Sequence, residues 1–128
     1  MRIVIDTHII LQLSLQTLSS QSRMQLLQNK SNQIYISGIS LWEISKLCEL
    51  NRIKLNCSLK EYLKLIEENP KFKIIHFDSN ILDRVSTIAS SMHKDPADQI
   101  ITATALELNA VLMTDDEIIA KSKLVEII

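Results

Sequence analysis

The sequence predicts an α/β fold, a three-layer sandwich built around a mainly parallel central sheet of about five strands. Short apolar runs of strand length alternate along the chain with segments whose apolar residues recur at helical spacing. The short runs are apolar at consecutive positions, which is typical of strands that helices cover on both faces. With 128 residues, the chain is predicted to form a single domain, residues 1–128.

The first half of the chain is predicted to contain two strands and three helices. Gly38, the only glycine, marks the turn between the second strand and the third helix. Beyond that turn, apolar residues return at helical spacing. The predicted elements are a strand at Arg2–Ile5, a helix in the apolar stretch Ile9–Leu18, a helix at Gln21–Asn29, a strand at Gln33–Ser37 and a helix from Ile39 to about Leu50.

The second half continues the alternation and carries clear helix start signals. Ser58 followed by Glu61 is a capping-box pattern, and Asp95 before Pro96 combines an N-cap with a proline at the first helical position. The predicted elements are a helix from Ser58 to Asn69, a strand at Lys73–Phe77, a helix after Asp78, a helix from Asp95 to about Leu108, a strand at Ala110–Met113, a short helix at Glu117–Lys121 and a last strand at Leu124–Ile127.

The charge balance excludes proteins that bind polyanions through a general basic field. The chain has 14 Lys and Arg against 15 Asp and Glu, for a net charge of −1. Two cysteines, Cys48 and Cys57, are too few for a disulfide framework and are predicted to be structural thiols. No signal peptide or long apolar run is apparent, so we expect a soluble, cytoplasmic protein with no membrane association.

Acidic residues follow several of the predicted strands. Asp6 ends the first strand, and Asp116 follows the strand at 110–113. Glu43 lies one turn into the helix after the second strand, and Asp98 lies in the first turn of another helix. Ligands of open α/β sheets bind beyond the carboxyl ends of the strands. Four carboxylates at one such edge would repel each other unless a divalent cation lay among them.

Each acid also has a purely structural interpretation. Asp95 and Asp98 could cap a helix and complement its dipole, and Asp115 or Asp116 could cap the helix that follows. Glu43 could lie on a solvated helix face. Asp6 is hardest to explain in this way, because an acid directly after a buried strand needs partners or a metal.

Four motifs in the same order resemble those of PIN-domain ribonucleases of the VapC toxin type, over essentially the whole chain. They are Ile5-Asp6-Thr7-His8, Ile36-Ser37-Gly38-Ile39-Ser40-Leu41-Trp42-Glu43-Ile44, Asp95-Pro96-Ala97-Asp98-Gln99-Ile100-Ile101-Thr102-Ala103-Thr104-Ala105 and Leu112-Met113-Thr114-Asp115-Asp116. Any one of these motifs alone would be a weak signal.

The resemblance implies a Mg²⁺- or Mn²⁺-dependent endoribonuclease that a cognate VapB-like antitoxin holds inactive and that forms a homodimer. It places the catalytic acids at Asp6, Glu43, Asp98 and Asp116. We expect Asp6, Asp98 and Asp116 to hold the metal and Glu43 to orient or deprotonate the attacking water. The substrate would be RNA.

Three residues depart from the family pattern. Gln12 stands where relatives often carry Trp, Gln99 where Arg usually follows the acid, and Asn109 where Gly usually ends the helix. Asn109 is compatible with the fold because Asn can adopt the left-handed conformation after a helix. Gln99 removes a cation beside the site, which could alter how phosphate or the antitoxin is held.

Several polar residues near the motifs have more ordinary interpretations. Thr7 and Thr114 could fix carboxylates or a phosphate, although small polar residues at turns are more often local caps. His8 has no evident partner and is predicted to be structural. Candidate contacts to an RNA backbone, each of which could equally be plain surface, are Lys46, Arg52, Lys54 and Lys94.

Two other functions remain open at this point. A phosphotransfer receiver or phosphatase could use Asp78, which also follows a strand. Such a protein would require a second acid beside Asp6 and a lysine after the last strand. Thr7 and the terminal Glu126-Ile127-Ile128 stand there instead. A catalytically silent α/β module that binds only a protein partner is the third possibility.

Overall fold

The computed structural model describes residues 1–128 and contains four strands and seven α-helices. The strands are β1 (Arg2–Ile5), β2 (Gln33–Ser37), β3 (Phe72–Ile75) and β4 (Val111–Met113). The helices are α1 (Thr7–Ser14), α2 (Gln21–Gln28), α3 (Gly38–Glu49), α4 (Leu59–Glu68), α5 (Ser79–Ile88), α6 (Pro96–Glu107) and α7 (Glu117–Ser122), with one 3₁₀ turn at Ala89–Ser91. The strand order is β3-β2-β1-β4 and every pair is parallel, which confirms the predicted α/β class.

The predicted fifth strand, Leu124–Ile127, is wrong: this segment forms only a single parallel bridge between Ile127 and Leu112. Leu112 donates its N–H to Glu126 O at 2.8 Å and accepts from Ile128 N–H at 3.0 Å. Successive residues of a strand point their backbone groups to opposite neighbours. In the three-residue β4 both end residues face β1, so Leu112 alone is left to pair with the tail.

The core lies on both faces of the sheet, and β1 passes between its two halves. Ile3 and Ile5 belong to one buried cluster, together with residues of α1 and α4, whereas Val4 belongs to the other, together with residues of α5 and α6. The alternation follows from the period of two of a strand. A buried central strand therefore places its last residues at a covered edge, where Asp6 follows.

Two of the observed elements depart by more than one residue from the bounds that the sequence predicts. The first helix begins at Thr7 and ends at Ser14, because Gln16 has a left-handed backbone with φ 55° that the helix cannot continue through. The third strand ends at Ile75 instead of Phe77. Its partner Ser37 is the last residue of β2, so Phe77 has no strand to pair with.

Asn109 agrees with expectation, and both cysteines are free thiols. Asn109 follows α6 with φ 49°, the left-handed conformation predicted for it. Cys48 is partly buried and Cys57 is exposed, and neither forms a disulfide. None of the helices has the length and apolar character that a membrane crossing requires.

Candidate active site

Asp6 lies at the carboxyl end of β1, where it is 4% exposed. Its Oδ1 accepts from the Thr7 N–H at 2.6 Å, so Asp6 caps α1. Its Oδ2 accepts from the Thr114 hydroxyl at 2.6 Å, and His8 Nδ1 lies 3.4 Å away. The chain thus supplies a polar partner to each oxygen of this buried carboxylate, as burial requires.

Glu43 extends from the second turn of α3 toward the same edge of the sheet. Its Oε1 accepts from the Thr7 hydroxyl at 2.5 Å, and Ser40 Oγ lies 2.9 Å from the same hydroxyl. Burial raises the pKa of Glu43, and the negative charge of Asp6 adds to that rise, while the Thr7 hydrogen bond opposes it. A glutamate on a solvated helix face would lack these contacts.

Asp98 and Asp95 have separate tasks at the start of α6. Asp95 is the N-cap and its Oδ1 accepts from the Ala97 N–H at 3.0 Å. The Asp98 side chain is 15% exposed, and its Oδ2 lies 2.8 Å from His93 Nε2. Of the pair, Asp98 is therefore the one whose carboxylate is not used for capping.

The electrostatic surroundings of Asp98 link it to the other acids. Burial is the largest cause that raises the pKa of Asp98 to about 7, followed by the negative charges of Asp95, Asp6, Asp116 and Glu43. The structure therefore brings together the four acids Asp6, Glu43, Asp98 and Asp116 in one electrostatically coupled cluster.

Asp116, whose charge also acts on Asp98, caps a helix. Its Oδ1 accepts from the N–H groups of Ile118 at 2.8 Å and Ile119 at 2.9 Å, at the start of α7. Its own N–H donates to Thr114 Oγ1 at 3.0 Å. Thr114 thereby joins the loop of Asp116 to Asp6.

A polar network holds the loop between β4 and α7 against α1 and α2. Arg23 donates to Asp115 Oδ1, to Thr114 O at 2.9 Å and to Ile128 O at 3.0 Å. His8 Nε2 accepts from the Asp115 N–H at 2.9 Å. The Arg23 hydrogen bond is the main cause that lowers the pKa of Asp115. Asp115 is thus a structural anchor, not a member of the acid cluster.

Replacing Arg23 with Met is expected to lower the free energy of unfolding by about 1.5–3 kcal/mol, because a partly buried charged donor to three acceptors is lost. Urea unfolding of the two proteins measures the difference. Arg84→Met is the matched control, since Arg84 pairs with Glu107 on the exposed surface, and it should cost less than about 1 kcal/mol. Equal effects of the two substitutions would contradict the anchoring role of Arg23.

The donor set of the cluster suits a hard divalent cation, although no three His, Cys, Asp or Glu side chains lie close enough in this arrangement to hold one together. Every donor is a carboxylate oxygen, the ligand that Mg²⁺ and Mn²⁺ favour. Glu43, Asp98 and Asp116 each have one carboxylate oxygen that accepts no hydrogen bond from the protein. None of these three oxygen atoms is fully buried. The uncompensated charge around Asp98 is what a bound cation would neutralise.

Two of the three residues that depart from the family pattern contact the network around the cluster. Gln99 Nε2 donates to His93 O at 3.0 Å, and Gln12 Nε2 donates to Asp115 Oδ2 at 3.3 Å. Gln99 therefore holds the loop that carries His93. Among the candidate phosphate contacts, Lys46 pairs with Glu49, and Arg52, Lys54 and Lys94 are exposed.

Sequence reasoning missed three residues of the site: His93, Ser40 and Arg23. Each acts through a contact that periodicity does not reveal, because His93 lies in a loop and Arg23 reaches its partners from a helix 91 to 105 positions away. No partner of His8 was evident from the sequence, whereas in the structure His8 contacts both Asp6 and Asp115. The one available signal was the position of Ser40 in the motif that contains Glu43.

The chain belongs to the PIN domain family, whose sequence pattern matches residues 3–123. PIN domains are in general nucleases, and in general depend on divalent metal ions. The family assignment drawn from the four motifs is confirmed. A comparison with curated proteins finds no match.

Solved structures with the same fold cover nearly the whole chain. VapBC2 from Rickettsia felis, bound to a DNA fragment from its promoter, contains a chain with a TM-score of 0.74 at 18% identity, over 100% of this chain and 98% of that one. A toxin-antitoxin complex from Klebsiella pneumoniae gives 0.66 at 22% identity, over 95% and 93%. The PIN domain endonuclease Utp24 gives 0.53 at 18% identity, over 94% and 75%.

Proposed function

We propose that the protein is the toxin of a type II toxin-antitoxin system, a VapC-type endoribonuclease that hydrolyses RNA phosphodiester bonds with Mg²⁺ or Mn²⁺. The observation that carries the proposal is the cluster of Asp6, Glu43, Asp98 and Asp116, in which burial, followed by the negative charges of the neighbouring acids, raises the pKa of Asp98 to about 7. The fold is shared with a toxin-antitoxin complex and with an endonuclease. Membership of the PIN domain family supports the same chemistry.

Asp6, Asp98 and Asp116 are the residues that would hold the metal. When bound, a divalent ion neutralises phosphoryl charge and lowers the pKa of a coordinated water. The Thr7 N–H and the Thr114 hydroxyl keep the Asp6 carboxylate in one orientation. The His93 contact does the same for Asp98.

Glu43 is suited to orient and deprotonate the attacking water. Its Oε1 is held by Thr7, which leaves Oε2 free to accept a hydrogen bond. Burial raises its pKa, which makes the carboxylate a stronger base. His8 is less suited to this task, because its Nε2 already accepts from the Asp115 N–H.

The two alternative functions have less support. Asp78, the acid that a phosphotransfer receiver would use, caps α5 through the N–H groups of Asn80 and Ile81. A catalytically silent binding module would have no use for four coupled carboxylates. It differs from the proposed enzyme in one measurable respect, since it would leave RNA intact.

The proposal is tested by incubating purified, partner-free protein with total cellular RNA in Mg²⁺ or Mn²⁺, with EDTA as the control. We expect cleavage in either metal, none in EDTA and arrested growth when the protein is expressed without an antitoxin. Intact RNA in both metals would favour the silent binding module.

We expect the partner to be a VapB-like antitoxin that inserts an Arg or Lys among the four acids, because a cation can take the place of the metal. The complex should be inactive on RNA, and removal of the basic side chain should restore cleavage. An antitoxin that binds elsewhere and leaves the complex active would refute this. The active form is expected to be a homodimer in the cytoplasm, to be checked by sedimentation and cell fractionation.

A further inference from the structure

A cavity of about 630 Å³ opens directly beside the acid cluster, and Glu43 belongs to both. Its volume lies within the range of about 300–1,000 Å³ that is typical of ligand sites. The side chains of Trp42 and Phe77 line it, together with Ile39 and Pro96. The cavity therefore combines an aromatic lining with one catalytic candidate.

Trp42 and Phe77 are the two exposed aromatic residues of a chain that has one Trp, two Tyr and two Phe. Trp42 is 54% exposed and Phe77 is 40% exposed. Neither is a member of the two buried clusters of the fold. The buried core therefore does not explain why these two aromatic side chains are present. Both of them line the same cavity.

We infer that Trp42 and Phe77 form a subsite that stacks an unpaired base of a single-stranded RNA next to the phosphate that is cleaved. The inference rests on the proposed ribonuclease function. Proteins that bind single-stranded RNA place unstacked bases on aromatic side chains, and each such contact contributes about 1–3 kcal/mol. Because Trp42 and Glu43 line the same cavity, a base stacked on the indole would hold its neighbouring phosphate near the Glu43 carboxylate.

Lys46 supplies the positive charge that such a subsite needs in a protein with no general basic surface. Its ammonium group lies 5.7 Å from the centroid of the Trp42 ring, one helical turn along α3. It pairs with Glu49 at 2.8 Å, but ion pairs at the surface are weak and exchange readily for a phosphate. Lys46 is thus placed to contact the phosphate of a nucleotide whose base is stacked on the Trp42 indole.

Base stacking needs a π face, whereas burial against another protein needs only apolar volume. Two substitutions of Trp42 therefore separate stacking from apolar burial. Trp42→Phe keeps a ring, and Trp42→Leu keeps apolar volume without one. Leu82→Ala is the control, since Leu82 is an exposed apolar residue of α5 that does not line the cavity.

The experiment has two readouts, RNA binding and RNA cleavage. Trp42 is the only tryptophan, so its fluorescence reports directly on the subsite. In an Asp98→Asn background that leaves RNA intact, a single-stranded RNA of about ten nucleotides should quench this fluorescence, and the same backbone without bases should not. In the otherwise unchanged enzyme, Trp42→Leu should lower kcat/KM on this RNA about ten-fold or more. Trp42→Phe should retain most of the activity, and Leu82→Ala all of it.

Several outcomes would overturn the inference. If the wild-type protein cleaves RNA and Trp42→Leu cleaves it equally well, the stacking subsite is wrong and the ribonuclease stands. If Trp42→Leu instead dissociates a dimer, the aromatic pair is a surface for self-association. If the wild-type protein neither cleaves nor binds RNA with metal present, the proposed function itself fails.

Discussion

Asp98→Asn is expected to raise the melting temperature of the metal-free protein above pH 7 and to abolish its stabilisation by Mg²⁺. The folded state raises the pKa of Asp98 from 3.8 to about 7, mainly through burial. A carboxyl whose pKa is raised by folding costs no stability below its unfolded pKa. The cost grows as pH rises from about 4 to about 7 and is complete above that. Asn carries no charge, so the variant should lack this loss of stability.

Mg²⁺ has the opposite effect on the wild-type protein, because the ion neutralises the cluster. At about ten times its dissociation constant it should stabilise by roughly 1.4 kcal/mol, or about 3–6 °C in melting temperature. The shift should increase as pH rises through about 7, since a ligand must lose its proton before it binds metal. Thermal melts at pH 6 and pH 8 measure both effects.

Asp95→Asn is the matched control for this series. Asn is as good an N-cap as Asp, so α6 should keep its start and the Mg²⁺ shift should persist. If Asp95→Asn loses the Mg²⁺ response while Asp98→Asn retains it, the metal ligand has been assigned to the wrong acid of the pair.

Asp6→Asn and Asp98→Asn are each expected to lower kcat/KM on RNA by at least about 100-fold. Loss of a residue that supports a ligand already costs 10–100-fold in metal affinity or activity, and these substitutions remove a ligand itself. Asp95→Asn should stay within several-fold of the wild type. A time course of RNA cleavage at saturating metal gives the rates, and excess Mg²⁺ should not rescue Asp98→Asn.

Two results would contradict the proposed roles in cleavage. Retained activity in Asp6→Asn would show that the carboxylate at the end of β1 serves only to cap α1, as its hydrogen bond from the Thr7 N–H allows. Equal losses in Asp95→Asn and Asp98→Asn would indicate damage to α6 instead of loss of a ligand. Circular dichroism of each variant separates folding from catalysis.

The order of the elements and the position of the acids could be predicted from the sequence because local signals carry them. Asp95 before Pro96 marks the start of α6, and the apolar run that ends at Asp6 marks β1. The number of strands in the sheet could not be predicted in this way. Leu124–Ile127 is apolar enough for a strand, but its pairing depends on how many residues of β4 face it, which is a property of the neighbour.

The contacts that orient the acids were beyond prediction for a related reason. His93 meets Asp98 through a loop. Thr114 was a candidate for fixing a carboxylate, but its partner Asp6 lies 108 positions away and could not be named in advance. Such pairs depend on the tertiary arrangement, because side chains far apart in sequence are brought together only by packing. The dual use of Asp6 and Asp116, each of which caps a helix while it borders the cluster, also follows only from geometry.

The most direct test of the account is to locate Mn²⁺ by its anomalous scattering in crystals of the partner-free protein. We expect an anomalous peak that carboxylate oxygens of Asp6, Asp98 and Asp116 coordinate, with Glu43 within reach of a coordinated water. The peak should be absent from crystals of Asp98→Asn grown under the same conditions. An ion bound away from these residues, or no ion under conditions in which the protein cleaves RNA, would contradict the assignment of the four acids as the metal centre.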